Sequence, residues 1–429
     1  MVLAGMTADG SYGYNDITDM CLTASGELKV IDPKINLRVN SETPLEVYQK
    51  GTRLTKLGLG FPQYENDDIA IPALEKLGYA HEDAVNYVVA ACWEFIIPGV
   101  GMDIPNIGAL PLAGVVNDVI HAKLKDVKNI DELKAEVKKE IFAKVREIAE
   151  GLKNLYVIPS PYMSIFFDKC VENGRDIAFG NKYNNYGFHG TGLACAADSL
   201  AAVNEMVFNR RLAPETLLAA MDADFMGYEE LHYQLKNECP KMGNDEDAAD
   251  DFACFLLSTF ADSLVGMTNE KGGIFRAGTG SAMYYIWHAD KMGATADGRT
   301  AEEPLPANYA PSINTRINGP VSLITSFVKP DLGRVINGGP LTIEFHDSVF
   351  RNDEAITKVA QLVRSFILGG GHQLQLNTVN RERMLDAQKH PENYKNLIVR
   401  VWGWSGYFVE LDKCYQDHII QRVELLANA

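Results

Sequence analysis

The sequence predicts an α/β fold, on three observations. A run from about Asp131 to Lys153 carries Ile130, Leu133, Val137, Ile141, Val145, Ile148 and Leu152 at steps of three and four. A second run, from about Asp353 to Leu368, repeats the pattern with Ile356, Val359, Val363 and Phe366. Near the C-terminus, Leu341 to Phe345 and Gln373 to Val379 alternate apolar and polar residues instead. Steps of three and four mark amphipathic helices and alternation marks strands, so the chain must layer one on the other.

The first helix puts its apolar residues on one face and Lys and Glu on the other, and Gly151 marks its end. The second stops at Gly369-Gly370-Gly371. Asp297 to Asn318, rich in Pro, Asn and Ser, reads as a long connection between the main body and the last part. Leu397 to Val401 is short, mostly β-branched, and leads into Trp402-Gly403-Trp404; Tyr407 to Leu411 resumes a strand-like pattern. Gly403 is therefore expected in a turn between two extended segments.

Composition narrows the functions open to the chain. Its 429 residues are 46% hydrophobic and 23% charged, an ordinary globular balance with enough apolar residues for a large core. The formal charge is −17, from 57 acidic and 40 basic residues. An acidic surface repels nucleic acid and anionic membrane, so neither is expected as a partner. The most apolar stretch, Tyr87 to Pro98, is interrupted by Glu94 and falls short of the roughly 20 residues a membrane helix needs. No basic stretch precedes an apolar run at the N-terminus, so no secretory signal is expected. The seven cysteines are scattered and form no Cys-x-x-Cys pair. That fits a reduced cytoplasm and argues against a disulfide scaffold or a structural zinc site.

Two segments carry candidate chemistry. Val399-Arg400-Val401-Trp402-Gly403-Trp404-Ser405-Gly406-Tyr407-Phe408 resembles the motif of the glycyl radical enzymes, in which Arg-Val, one variable residue, then Gly and an aromatic lie near the C-terminus. An α-carbon radical is stabilised by the amide nitrogen on one side and the carbonyl on the other. That requires a near-planar centre free of a side chain, which only glycine offers. The competing reading is a hairpin turn with glycine at a positive φ. Ala91-Cys92-Trp93-Glu94 resembles the Gly-Cys-Val-Glu active-site loop of the same family. The resemblance implies that Gly403 takes a hydrogen atom from Cys92, whose thiyl radical then takes one from substrate. Cys92 lies in an apolar run without a basic neighbour in sequence, which favours the neutral thiol that such a transfer needs. The competing reading of Cys92 is a small buried hydrophobe. Glu94, two residues on, is costly to bury unpaired. On an extended loop it faces the same way as Cys92 and could move a proton on the substrate. Its competing reading is a structural carboxylate paired with Arg or Lys.

Other residues take blander readings. Cys170, Cys195 and Cys254 sit in apolar patterns read as helical and are expected in the core. Gly278-Thr279-Gly280-Ser281-Ala282-Met283 lacks the third glycine and the following acidic residue of a dinucleotide fingerprint. His189, His288 and His372 lie in family-like segments, where they could line the cavity or serve as hydrogen-bonded structural histidines.

The resemblance also takes in Gly369 to Ala387 with Gln388 to Tyr394, Ala296-Asp297-Gly298-Arg299, Tyr183 to Gly187 and Ala197 to Ala202, and runs from about Met6 onward. It implies part of a ten-stranded barrel wrapped by helices, with the radical loop inserted into its centre. Residues 1–300 would be the C-terminal part of a pyruvate formate-lyase-like catalytic domain and 301–429 a glycine radical domain. The match begins near the middle of a typical family chain, so the N-terminal half-barrel is expected to be absent: a fragment, a split gene product or a reduced protein. The implied activity is a radical lyase or dehydratase acting on a small hydroxylated or amino substrate, with Cys92, Glu94 and Gly403 as its catalytic residues. A decarboxylase, a formate acetyltransferase and a truncated, non-catalytic partner-binding subunit are the alternatives. The acetyltransferase uses two adjacent cysteines, and here Ala91 and Trp93 flank Cys92. No cofactor is expected to be bound; the radical at Gly403 would be installed by a separate S-adenosylmethionine and iron–sulfur activating enzyme. The other implied partners are a separate N-terminal half-barrel chain and, in the complete form, a second copy, in an anaerobic cytoplasm. Trp402 and Trp404 depart from the family, which often has a small residue and a tyrosine there, and could shield the radical or alter docking of the activating enzyme.

Overall fold

A computed structural model describes residues 1–427 apart from 302 and 314, with the backbone alone for 423–427. Both long helices form where the periodicity places them. One spans Ile130–Gly151, begins at Asn129, whose side chain accepts from the Glu132 amide at 2.9 Å, and buries Leu133, Val137, Ile141 and Val145. The other spans Asp353–Leu368, is capped in the same way by Asn352, and buries Ile356, Val359, Val363 and Phe366.

Twelve strands appear among the described residues: β1 (Val2–Ala4), β2 (Asn36–Val39), β3 (Gln63–Asn66), β4 (Val88–Ala90), β5 (Glu94–Ile96), β6 (Ile104–Pro111), β7 (Tyr186–Thr191), β8 (Phe275–Gly278), β9 (Leu341–His346), β10 (Gln373–Val379), β11 (Ile398–Arg400) and β12 (Ser405–Tyr407). They form a five-stranded sheet in the order β1-β2-β3-β10-β9, a parallel three-stranded sheet β6-β7-β8, and the hairpins β4-β5 and β11-β12. In the larger sheet β1, β2 and β3 run parallel, β10 pairs antiparallel with β3, and β9 runs parallel to β10. These strands close no barrel among the described residues; they supply the mixed sheets and helices of an α/β fold.

Alternation in β9 and β10 would ordinarily mean one face in water, yet both faces of this sheet are buried. Leu37, Val39, Tyr64, Leu374, Leu376 and Ile343 lie on one side, in the core with the helix Leu45–Lys56, on which the helix Asp353–Leu368 packs in turn. The other side carries Asn36, Gln63, Glu65, Gln373, Gln375 and Glu344, all at most 5% exposed. Register lines them up: Asn36 faces Gln63, Glu65 faces Gln373, and Gln63 faces Gln375. Buried amides need partners, and this face meets inserted backbone. The Gln373 Nε2 donates to the Trp93 carbonyl at 2.9 Å, and the Gln375 Nε2 to the Gly60 carbonyl at 2.8 Å.

Three expectations are corrected. Tyr407 to Leu411 is not a strand: β12 ends at Tyr407 and a 3-10 turn, Phe408–Glu410, follows. The chain turns there because Phe408 is wholly buried in the cluster of Val399, Val401 and Ile419. The segment Asp297 to Asn318 is the long connection expected, with no helix or strand among its described residues, and Asp297, Leu305, Asn308 and Tyr309 along it are buried. Cys170 is buried in a turn, not a helix, and Cys254 sits on a helix but is only half-buried, whereas Cys195 is buried on a helix as expected.

Candidate active site

Cys92 sits at the tip of one hairpin and Gly403 at the tip of another, and the fold presses the two tips together. β4 and β5 pair with Ala90 opposite Glu94, so Ala91, Cys92 and Trp93 make a three-residue turn. Ala91 takes φ +44°, a left-handed conformation that glycine adopts freely and alanine at a cost of roughly 1 kcal/mol. Two arginines anchor this hairpin. Arg38 forms a two-pronged ion pair with Asp67, at 2.8 and 3.0 Å, and donates to the Val85 carbonyl at 2.9 Å. Arg276 donates to the Phe95 carbonyl at 3.0 Å.

The second hairpin pairs Arg400 with Ser405 around Val401 to Trp404. It is held from behind by Arg422, which donates to the Val401 and Arg400 carbonyls at 2.7 and 2.8 Å. The Ser405 hydroxyl donates to the Leu59 carbonyl at 3.0 Å, and the Asn308 amide donates to the Trp402 carbonyl. Trp402 packs edge-on against Tyr285, with ring centres 6.2 Å apart, while Trp404 is 38% exposed.

Gly403 is buried, and its φ lies outside the left-handed range, so turn geometry does not demand glycine. Contact does. A Cβ on Gly403 would stand 2.2 Å from the Cys92 Cβ and 2.6 Å from the Trp93 ring. No side chain fits between the glycine α-carbon and the cysteine, so the two turns pack backbone against side chain at this point.

The cysteine is held as a thiol. Burial pushes Cys92 up to about 11 and the nearby Glu94 carboxylate adds to the rise, while Lys34 and Arg400 pull the other way. Neither base was visible from the sequence around Cys92; both reach it only through the fold. The Lys34 ammonium donates to the Cys92 carbonyl at 2.7 Å, to the Ala91 carbonyl, and to the Gly403 carbonyl at 3.4 Å. Burial pushes Lys34 down to about 8, with Arg400 acting in the same direction.

Glu94 is 2% exposed, and its placement departs from the extended-loop reading. The tight turn folds its carboxylate back, so that Oε2 accepts from both the Cys92 and Trp93 amides at 2.9 Å. No arginine or lysine pairs with it among the described residues. The carboxylate thus braces the cysteine turn as well as lying beside Cys92.

Trp93 is the residue the sequence reading undervalued. Its indole is wholly buried, lies edge-on to His189 at 5.8 Å, and fits only because Gly280 lacks a side chain: a Cβ there would stand 2.1 Å from the indole nitrogen. Gly278-Thr279-Gly280, which lacks the rest of a dinucleotide fingerprint, is therefore a packing surface for this tryptophan. Burial pushes His189 and His372 down to about 3 and His288 to about 4, so all three are neutral. His288 shares a 2.7 Å hydrogen bond with Thr191. All seven cysteines stand free, and no cluster of metal-binding side chains occurs among the described residues. No helix among them is long and apolar enough to cross a membrane.

A glycine and a cysteine meet at facing hairpin tips in an α/β scaffold, the arrangement expected of the glycyl radical enzymes. Comparison with known proteins places the chain within that class. Residues 1–288 match the family model "Pyruvate formate lyase-like" and residues 306–409 match "Glycine radical". The chain belongs to the pyruvate formate lyase-like family of glycyl radical enzymes. It is 30% identical to the trans-4-hydroxy-L-proline dehydratase of Clostridioides difficile, over 98% of this chain and 56% of the relative. Among solved structures, the glycerol-bound B12-independent glycerol dehydratase of Clostridium butyricum superposes with a TM-score of 0.91 at 30% identity. The hydroxyproline dehydratase of C. difficile with its substrate bound superposes at 0.93 and 28%. Each match covers 98% of this chain and 56% of the solved one, so the chain spans about half the length of the relatives it matches.

Proposed function

We propose that this chain carries the radical-relay half of a glycyl radical dehydratase, with Gly403 storing the radical, Cys92 relaying it and Glu94 serving proton transfer. One observation carries the reading: the α-carbon of Gly403 abuts Cys92 with no room for a side chain. Similarity to dehydratases over nearly the whole chain supports the reaction class.

The Gly403 radical takes the hydrogen atom from the Cys92 thiol, restoring glycine and leaving a thiyl radical. The thiyl takes a hydrogen atom from a substrate carbon bearing a hydroxyl or amino group. The neighbouring carbon then loses its hydroxyl as water, Glu94 carrying to that hydroxyl the proton released by the heteroatom on the radical carbon. The product radical takes its hydrogen atom back from Cys92, and Gly403 is regenerated as the radical. A thiol held up to about 11 by burial is the right form for this exchange, since a thiolate has no hydrogen atom to give.

The radical would be installed by a separate activating enzyme that uses S-adenosylmethionine and an iron–sulfur cluster. The substrate would be a small diol or hydroxylated amino acid in an anaerobic cytoplasm. The rest of the pocket would come from a complementary half-barrel, and the complete form would be a homodimer. Residues 1–300 and 301–429 divide the work between the cysteine turn and the glycine turn, although β3 and β10 pair across that boundary in one sheet.

The test is turnover. Anaerobically activated protein, supplied with a complementary half-barrel polypeptide, is given small diols and hydroxylated amino acids, and dehydrated products are followed by mass spectrometry. Cys92→Ser should keep the glycyl radical and form no product. Product formation by that variant at the wild-type rate would refute the relay.

A further inference from the structure

We propose that Lys34 is a positioning residue that fastens the cysteine turn to the glycine turn; the inference rests on the radical-relay reading above. An ammonium has three hydrogens to donate, and three backbone carbonyls converge on this one. Two belong to the cysteine turn, Ala91 and Cys92, the latter at 2.7 Å, and the third is that of Gly403 at 3.4 Å. The other polar anchors each hold one turn. Gln373 binds the Trp93 carbonyl, Asn308 the Trp402 carbonyl, and Arg422 the carbonyls of Arg400 and Val401. Among the described residues, Lys34 alone donates side-chain hydrogen bonds to both.

The need for such a tie follows from the topology. The turns cap two separate hairpins, β4-β5 and β11-β12, which share no strand pairing. Each hairpin fixes its own tip but not the gap between the tips. Lys34 is anchored elsewhere, two residues ahead of β2, and its carbonyl accepts from the amino group of Met1 at 2.8 Å. It therefore ties both tips to the five-stranded sheet from outside either hairpin. Misplacing the reacting atoms by about 1 Å can cost about a hundredfold in rate, so a device that sets this gap acts directly on the relay.

Two readouts test the proposal. The first needs no radical. Amide hydrogen exchange, followed by mass spectrometry on the whole unactivated chain, compares wild type with Lys34→Met and Lys34→Arg. Lys34→Met should speed exchange in both turns, about residues 91–94 and 401–405, by at least about tenfold, with the helix Ile130–Gly151 unchanged. Lys34→Arg, which keeps a long cationic donor, should restore most of the protection. Should the methionine variant fail to fold, Lys34→Gln takes its place. Unchanged exchange, or faster exchange in the cysteine turn alone, would overturn the tie.

The second readout is spectroscopic. In D2O the Cys92 thiol becomes S–D. Transfer of that deuterium to the Gly403 radical, and return of the original hydrogen, converts the α-hydrogen doublet of the electron paramagnetic resonance spectrum to a singlet. At equal spin content this conversion should slow about a hundredfold in Lys34→Met and recover in Lys34→Arg. Conversion at the wild-type rate in Lys34→Met would likewise overturn the proposal. If Lys34→Met loosens both turns as expected but the activated wild-type protein forms no glycyl radical, the functional reading falls and the tie stands.

Discussion

Two side chains and one missing side chain govern the site. Burial holds Cys92 up to about 11, above the ordinary thiol value of 9. At pH 8 its thiolate fraction should be about a hundredfold below that of an unperturbed cysteine. Peptide mapping after brief iodoacetamide treatment should find exposed Cys414 alkylated well before Cys92, with the Cys92 rate rising steadily up to about pH 11. Rapid labelling of Cys92 at pH 7 would contradict its burial as a thiol. Glu94 braces its own turn, its Oε2 holding the amides of Cys92 and Trp93, and the proton transfer proposed for it would come on top of that. Glu94→Gln keeps an acceptor oxygen for those amides and removes the titrating group. It should leave the glycyl radical signal intact and cut turnover by about 10²–10⁴-fold, the usual worth of a general acid–base group. Full turnover would leave Glu94 as a brace only. The sequence exposed Cys92 and Gly403 through local motifs that resemble a family's. It could not expose Lys34, which meets them only through the fold, and it gave no sign that Glu94 folds back on its own turn.

Hairpins and helices show what a local pattern can and cannot specify. The helices Ile130–Gly151 and Asp353–Leu368 were legible because a step of three or four residues needs no knowledge of the partner surface. β9 and β10 were legible as strands, but their polar face was not legible as buried, since alternation looks the same whether the polar side meets water or an inserted hairpin. The strand expected over Tyr407 to Leu411 failed because Phe408 turns inward to its own cluster. Packing at the cysteine turn depends on Gly280, whose substitution by alanine would drive a methyl into the Trp93 indole. Gly280→Ala should destabilise the protein by about 1–3 kcal/mol, read as a lowered denaturant midpoint and a shifted Trp93 fluorescence. No change in either would mean that the indole does not sit there. Arg422 braces the other hairpin by two carbonyls. Arg422→Met should cost about 2 kcal/mol and loosen amide exchange over Ile398–Tyr407; unaltered exchange there would refute the brace.

Across the whole molecule, the proposed division into residues 1–300 and 301–429 does not separate two folding units. β3 and β10 exchange backbone hydrogen bonds across it, and one apolar core joins Leu37 and Tyr64 to Leu374 and Leu376. Calorimetry should therefore show the two parts melting together, and residues 301–429 expressed alone should lack protected β10 amides. A separate transition for that segment would contradict a shared core. The claim on which the rest depends is that Gly403 holds the radical. It is tested most directly by electron paramagnetic resonance of the anaerobically activated protein, followed by exposure to air and mass spectrometry of the fragments. The account predicts a doublet that is lost in Gly403→Ala and, after air, cleavage of the chain at Gly403. A doublet that survives in Gly403→Ala, or cleavage at another residue, would contradict it.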